Sequence, residues 1–338
     1  MKLLIITQKV DRDDAILGFF HRWIEEFAKR CEHVTVIGQE VGRHELPSNV
    51  HVWSLRKERG WPKVLQVIRF WLLIIRHRHA YDVVLVHMTP LWVVLGWKFW
   101  CVLRKPVYLW YEARGKRMVL RLALCVVRKV FSASAHGMPI RTQKSVIVGH
   151  GIDTDRFVPG SAPRDAGLIV TVGRITAAKS IPMILHALAA LPAPYHLVIA
   201  GTPVTGEDQV THAELLALIR RLRLQDRVAV RTLSHAAIPP LLQRAKLFLH
   251  ASATALDKAV LEAMACGCAV ISCADAMGAI LPGTLRASPE AMAGVAQWFC
   301  SLPQAEQDDL RRELRRTVVE RHGLVRLIER LCKEMSPL

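Results

Sequence analysis

The stretch Leu168-Ile169-Val170-Thr171-Val172-Gly173-Arg174-Ile175-Thr176-Ala177-Ala178-Lys179-Ser180 runs an apolar strand into a glycine-led loop, and Pro182 then sits in the first turn of a helix. Glycine lets the backbone approach a ligand closely. Arg174 and Lys179 bring two fixed positive charges to a helix N-terminus, a natural site for a diphosphate. The same two cations also fit an ordinary surface loop, so the surroundings must decide.

Outward from this stretch, strand-like runs recur at His196–Ala200, Val228–Arg231, Leu247–His250 and Ala269–Ser272, with helices from about Pro182, Ala213, Ile238, Lys258 and Pro289. An earlier series comprises Leu3–Ile6, His33–Ile37, Val83–His87, Pro106–Trp110 and a last strand near Val146–Val148, with helices such as Gly18–Arg30 between them. Strands alternating with crossover helices predict an α/β protein of two doubly wound parallel sheets. The Gly/Asp/Pro-rich segment His150–Gly160 is the predicted connector. It divides the chain into Rossmann-like domains over 1–158 and 159–304, and helices over 305–338 are expected to pack back toward the first domain. Two such domains in tandem are expected to face each other across a cleft at the carboxyl ends of their strands, where α/β proteins bind ligands.

The chain has 338 residues, enough for two ordinary cores, and 51% of them are hydrophobic, too many for a disordered protein. The apolar N-terminus, Leu3–Ile6, soon meets Lys9, Asp11, Asp13 and Asp14, which suits a buried first strand and not a signal peptide. Val64–Ile75 holds Arg69 and Trp92–Leu103 holds Lys98, so neither reads as a spanning helix. Eight cysteines form no C-x-x-C pair, which fits reduced thiols in a cytosolic protein.

The net charge of +17 is uneven: residues 1–160 carry 26 Lys/Arg against 13 Asp/Glu, and the remainder 20 against 16. In the first half the cations interleave with aromatics, as in Arg69-Phe70-Trp71 and Trp97-Lys98-Phe99-Trp100. That mixture suits an anionic membrane surface better than a nucleic-acid groove; a merely solvated basic face is the alternative. No nucleic-acid partner is expected.

The second chemical segment is Leu256-Asp257-Lys258-Ala259-Val260-Leu261-Glu262-Ala263-Met264-Ala265-Cys266-Gly267. Asp257 reads as an N-cap and Gly267 as a C-terminal stop. One turn in, Glu262 is placed to accept both hydroxyls of a ribose, although a helix glutamate chosen for propensity looks the same.

Taken together, Val172-Gly173-Arg174 with Lys179, Val198–Gly201, Leu261–Gly267 and the connector Gly151–Pro159 resemble the retaining GT-B glycosyltransferases of family 4 over nearly the whole chain. The resemblance implies that Arg174 and Lys179 hold a donor diphosphate, that Glu262 binds the nucleotide ribose, and that Gln8–Gly18 is a loop facing acceptor and donor, with Gly18 at a helix start. The expected donor-binding residues are thus Gly173, Arg174, Lys179, Thr254, Asp257, Lys258 and Glu262. Two departures alter the pattern. Thr254 stands where the family's first motif glutamate falls, with Asp257-Lys258 in place of a glycine and an aliphatic residue. The fourth first-domain strand ends Leu109-Trp110-Tyr111-Glu112-Ala113-Arg114-Gly115 without the usual histidine. Glu112 is the expected stand-in, joining Arg174 and Lys179 as a catalytic residue; Arg114, His87 and His150 are the other candidates. Lowered activity is the alternative outcome.

Asp11-Arg12-Asp13, in an N-terminal loop, and Asp153-Thr154-Asp155, in the connector, are literal D-x-D patterns, but with Arg174 and Lys179 neutralising a leaving diphosphate no metal is required, and no metal or other cofactor is expected. The resemblance implies a nucleotide-sugar donor and a saccharide acceptor. A lipid-linked acceptor, handled on the cytoplasmic face of a membrane in polysaccharide or glycolipid synthesis, explains the basic first half best. The rivals are a sugar-nucleotide epimerase of the same fold and a catalytically impaired nucleotide-sugar-binding protein.

Overall fold

Val83–His87 is buried at every position, as is expected of a strand inside a parallel sheet with both faces covered. A computed structural model describes residues 1–14, 16–113, 117–252 and 256–336, with the backbone alone for Arg117. In chain order the first elements are β1 (Lys2–Val10), α1 (Phe19–Ala28), β2 (His33–Val41), β3 (Val50–Ser54), α2 (Lys63–Arg76), β4 (Val83–His87) and α3 (Pro90–Val102). Then come β5 (Val107–Trp110), α4 (Arg117–Val126), β6 (Lys129–Ser132), β7 (Ser145–Ile147), β8 (Asp165–Val172), α5 (Ile181–Ala190), β9 (His196–Ala200) and α6 (Gly206–Arg221). The chain continues through β10 (Val228–Arg231), α7 (Ile238–Arg244), β11 (Ala245–His250), α8 (Lys258–Ala265), β12 (Ala269–Ser272), α9 (Met292–Ser301), α10 (Gln304–His322) and α11 (Leu324–Met335).

Two compact units result: Met1–Gly151 with His322–Leu338, and Ile152–Arg321. The first holds a seven-stranded sheet in the order β3-β2-β1-β4-β5-β6-β7, the second a five-stranded sheet in the order β10-β9-β8-β11-β12. Every strand pair in both sheets is parallel. The two doubly wound parallel sheets of the sequence reading are therefore present.

Period-two alternation divides the first core. Leu3 and Ile5 join the layer with Phe20, Trp23 and Leu327, whereas Leu4 and Ile6 join the layer with Phe70, Trp92 and Trp100. α1 and α11 thus cover one face, and α2, α3 and α4 the other. α11 buries Leu324, Leu327, Ile328, Leu331 and Met335, a helical stripe, and Arg30 and Lys129 pair with its Glu329 and Glu334 at 3.1 and 2.6 Å.

The second unit has one continuous core, to which Ile152 and Phe157 of the connector and Leu314 and Val318 of α10 belong. Arg315 donates to the carbonyls of Phe157 and Ala265, tying the connector to the end of α8.

Two strands had no clear signal in the sequence. β3 is partly exposed and carries His51 and Ser54, while β6 is only four residues long and opens with Lys129. β1 also runs to Val10, beyond the apolar run, because its last residues pair with Glu40 and Val41 of β2.

Candidate functional site

In an open parallel sheet the ligand crevice forms where the strand order reverses, at the carboxyl ends of the strands. In the second unit that point lies between β8 and β11. The Gly173 loop leaves one strand and the chain leading to α8 leaves the other, so two segments about 80 residues apart meet there.

Gly173 has a φ of 144°, and a Cβ on it would press on the Lys179 side chain. Gly201, at the end of β9, lies so close to the Gly173 carbonyl that no side chain fits. Both glycines of the sequence pattern are explained by this close approach. Ile175 is buried, anchoring the loop, and the Thr176 hydroxyl accepts from Ala178 N at 3.2 Å. Ser180, with a φ of 49°, then turns the chain into α5.

Lys179 reaches across the switch point and its ammonium donates to the Asp257 carboxylate. Asp257 Oδ1 caps α8 by accepting from Ala259 N at 3.3 Å, while Oδ2, besides receiving Lys179, lies 3.4 Å from His250 Nε2. The other ring nitrogen of His250 is 2.8 Å from the Ser272 hydroxyl on β12. Burial would raise the Asp257 carboxyl, but His250 and Lys179 outweigh it and hold it well below the usual carboxylate range.

Arg174 is exposed and forms no ion pair among the described residues. Its charge reaches Asp208, whose carboxylate is held low chiefly by the Thr205 backbone and also by Arg174. Asp208 completes the capping box of α6 by accepting from Thr205 N at 3.0 Å. The two sequence-predicted cations are therefore not equivalent: one is paired and the other open.

One turn into α8, Glu262 is pushed up and Lys258 pushed down, in both cases by burial, against their attraction for each other. Arg156 from the connector also favours the charged form of Glu262. His235, beside Phe157 at 5.9 Å between ring centres, is pushed down to about 4 by burial, with Arg156 and Lys258 adding repulsion. Arg156, His235 and His250 are members of this cluster that sequence reasoning missed. His250 is the last residue of a strand beside the switch point, the one signal that could have marked it.

The remaining first-domain candidates belong to the first unit. Glu112, expected to be catalytic, has both carboxylate oxygens occupied. Oε2 accepts from Ser132 Oγ at 2.6 Å, Ala133 N at 2.8 Å and Ser134 N at 3.3 Å, and Oε1 accepts from Ser134 Oγ at 2.9 Å. Gly137 approaches the carboxylate too closely to carry a side chain. Such a carboxylate fastens the chain after β6 to the end of β5. Gly18 precedes α1 and donates to the Asp14 carbonyl at 3.0 Å; a Cβ on it would strike that carbonyl. His87, at the end of β4, shares a hydrogen bond with Thr7 at 3.2 Å and stacks on Phe20 at 4.0 Å. Thr254 and Arg114 lie outside the described residues. Among the described residues no group of three His, Cys, Asp or Glu is placed to hold a metal ion.

Residues 166–296 match the family model described as glycosyl transferases group 1. The matched residues all lie within the second unit. Among solved structures, Alr3699/HepE of Anabaena in complex with UDP is similar to the chain at 18% identity and a TM-score of 0.79, covering 100% of both chains. Sucrose-phosphate synthase of Thermosynechococcus elongatus is similar at 15% identity and a TM-score of 0.80, covering 99% of this chain and 98% of that one. The lipopolysaccharide outer core galactosyltransferase WaaB in its apo form is similar at 14% identity and a TM-score of 0.67, covering 100% of both chains. At these identities the likeness is one of fold, and the fold is GT-B. No curated protein matches the chain.

Proposed function

We propose that the protein transfers a sugar from a nucleotide-sugar donor to a lipid-linked saccharide acceptor, with retention at the anomeric carbon, on the cytoplasmic face of a membrane in polysaccharide or glycolipid synthesis. The observation that carries this reading is the meeting of the Gly173 loop, Lys179 and the α8 N-terminus at the switch point of the group 1 domain. Structures of the similar Alr3699/HepE contain UDP and UDP-glucose, which supports a nucleotide-sugar as the donor.

In this scheme Glu262 accepts from the ribose hydroxyls, and the diphosphate lies at the Gly173 loop. Lys179 leaves Asp257 for the diphosphate, and Arg174 closes on it from the open side. The bond from the anomeric carbon to the phosphate oxygen breaks with its electron pair going to the phosphate. The acceptor hydroxyl forms the new bond and its proton passes to the departing phosphate oxygen. Two cations and the helix N-terminus stabilise the leaving charge, so no metal is assigned a role. Glu112 is given no catalytic part, because both of its oxygens are already engaged. The acceptor belongs to the basic first unit, whose charge and exposed Leu72, Trp97 and Val102 suit an anionic leaflet.

A second reading, nucleotide-sugar binding without turnover, is favoured by one observation: Asp257 already neutralises the lysine that the leaving group needs. Release of nucleotide from a panel of nucleotide-sugars, with and without membrane lipid extract, tests both. Acceptor-dependent release supports transfer. Release without acceptor supports an epimerase or hydrolase, and binding without release supports the second reading.

A further inference from the structure

Apart from Lys98, α3 carries no charged side chain and is apolar on every face. It buries Trp92, Val93, Gly96 and Trp100, yet its outer face still presents Leu91, Trp97 and Val102, the last 82% exposed. A helix of that kind is ordinarily covered on every side. α2 beside it behaves likewise, burying Phe70, Leu73 and Ile74 while leaving Val64 69% and Leu72 63% exposed. Between the carboxyl-terminal halves of the two helices runs a groove of about 570 Å³, walled by Trp71, Ile75, Val94, Phe99 and Val102. That size falls within the range of about 300–1,000 Å³ usual for small-molecule sites.

The groove is chemically one-sided. The indole N–H of Trp71 is taken up by the Leu95 carbonyl at 2.9 Å, so this side chain offers the groove hydrocarbon and no free donor. The polar groups come as cations, Arg78 and Lys98, which also line the groove. From Lys63 to Lys105 there are seven Lys/Arg and one carboxylate, Asp82, and Lys105 lies 3.7 Å from it. α2 runs into β4 and α3 leaves it, so their carboxyl-terminal halves lie toward the amino edge of the sheet. The groove is therefore at the opposite edge of the first sheet from the carboxyl ends of its strands. Among the described residues no helix is long and apolar enough to cross a membrane.

We propose that the α2–α3 groove receives one hydrocarbon chain of an anionic membrane phospholipid, whose phosphate is held by Arg78 and Lys98. Apolar walls suit the chain, and the local excess of cations suits the headgroup. The site anchors the first unit by a lipid that is not the acceptor. It deepens, and rests on, the membrane-face part of the proposed function.

The test uses the full chain and two separate probes. The first is a lysophosphatidylglycerol with a brominated acyl chain, kept below its micelle concentration; bromine quenches nearby tryptophan fluorescence. The expected result is saturable, one-to-one quenching, most of it lost in Trp71→Phe/Trp97→Phe. Affinity should fall at least tenfold in Arg78→Glu/Lys98→Glu, and lysophosphatidylcholine should bind at least tenfold more weakly. Thermal melting and nucleotide binding of each variant report whether it is folded. The second probe is flotation with phosphatidylglycerol vesicles. Vesicle binding without saturable quenching overturns the groove assignment and leaves the membrane reading standing. Saturable quenching without vesicle binding keeps the groove and removes the membrane reading. Self-association of the free chain that Val102→Glu abolishes, with no lipid quenching, overturns the proposal in favour of a second copy on this face.

Discussion

The Lys179 ammonium and the Asp257 carboxylate form an ion pair across the switch point of the second sheet, with His250 Nε2 3.4 Å from the same carboxylate oxygen. Lys179 comes from the loop after β8 and Asp257 from the start of α8, so the pair links the two segments that any ligand at this edge must touch. In the proposed scheme a bound diphosphate competes with Asp257 for this one cation. Asp257 thus neutralises Lys179, and in the proposed scheme donor binding exchanges one anion for another at that lysine.

Among the described residues Arg174 has no such competitor, so in the proposed scheme its charge is available to the leaving group. Arg174→Ala is expected to lower kcat/KM at least tenfold, about 1.4 kcal/mol of transition-state stabilisation. Steady-state nucleotide release checks this, and normal turnover would remove Arg174 from the scheme.

Glu262→Gln keeps size but removes the charge to which the proposed scheme assigns the ribose hydroxyls. Nucleotide affinity should weaken by about 1.5–3 kcal/mol, the span for hydrogen bonds to a charged group. The partly buried Lys258 then loses its carboxylate partner, so the melting temperature should fall as well. Unchanged affinity in a titration would leave Glu262 as a helix residue only.

His235 gives a pH signature. Burial, with Arg156 and Lys258 nearby, holds it neutral down to about 4, whereas the unfolded chain protonates it near 6.5. Between these values the unfolded state binds more protons, so its contribution is fully present above 6.5 and is lost as pH falls toward 4. Allowing for its partial exposure, the loss should be about 1–2 kcal/mol. Melting curves should show that slope in the wild type and a flatter one in His235→Gln; identical slopes would contradict the assignment.

Glu112→Gln separates fastening from catalysis. An amide cannot accept at both ends, so donors among Ser132, Ala133 and Ser134 lose their partner, at roughly 2–3 kcal/mol. Thermal melting should fall by several degrees while turnover per folded molecule stays within about twofold. Lost turnover at unchanged stability would restore the catalytic role expected from the sequence.

These relationships differ in how far the sequence announces them. Gly173, Arg174 and Lys179 lie within seven residues of each other, so loop, cations and helix start can be read together. Asp257 is legible as an N-cap because capping is local. Its hold on Lys179 is not, since it depends on β8 and β11 being neighbours in the sheet. Glu112 illustrates the same limit. Its place at a strand end suggests chemistry, and only the pairing of β5 with β6 brings the hydroxyls and amides that occupy it. The α2–α3 groove is foreshadowed by apolar runs broken by Arg69 and Lys98, but which faces stay uncovered is decided by packing.

The central claim, that the Gly173 loop and Lys179 form the anion site of a donor nucleotide, is tested most directly by calorimetric titration of UDP. The proteins compared are the wild type, Lys179→Ala and Asp257→Asn. Asparagine keeps the α8 cap and removes the competing charge. The account predicts at least tenfold tighter binding in Asp257→Asn and at least tenfold weaker binding in Lys179→Ala, about 1.4 kcal/mol in each direction. Equal affinity in all three proteins would contradict it.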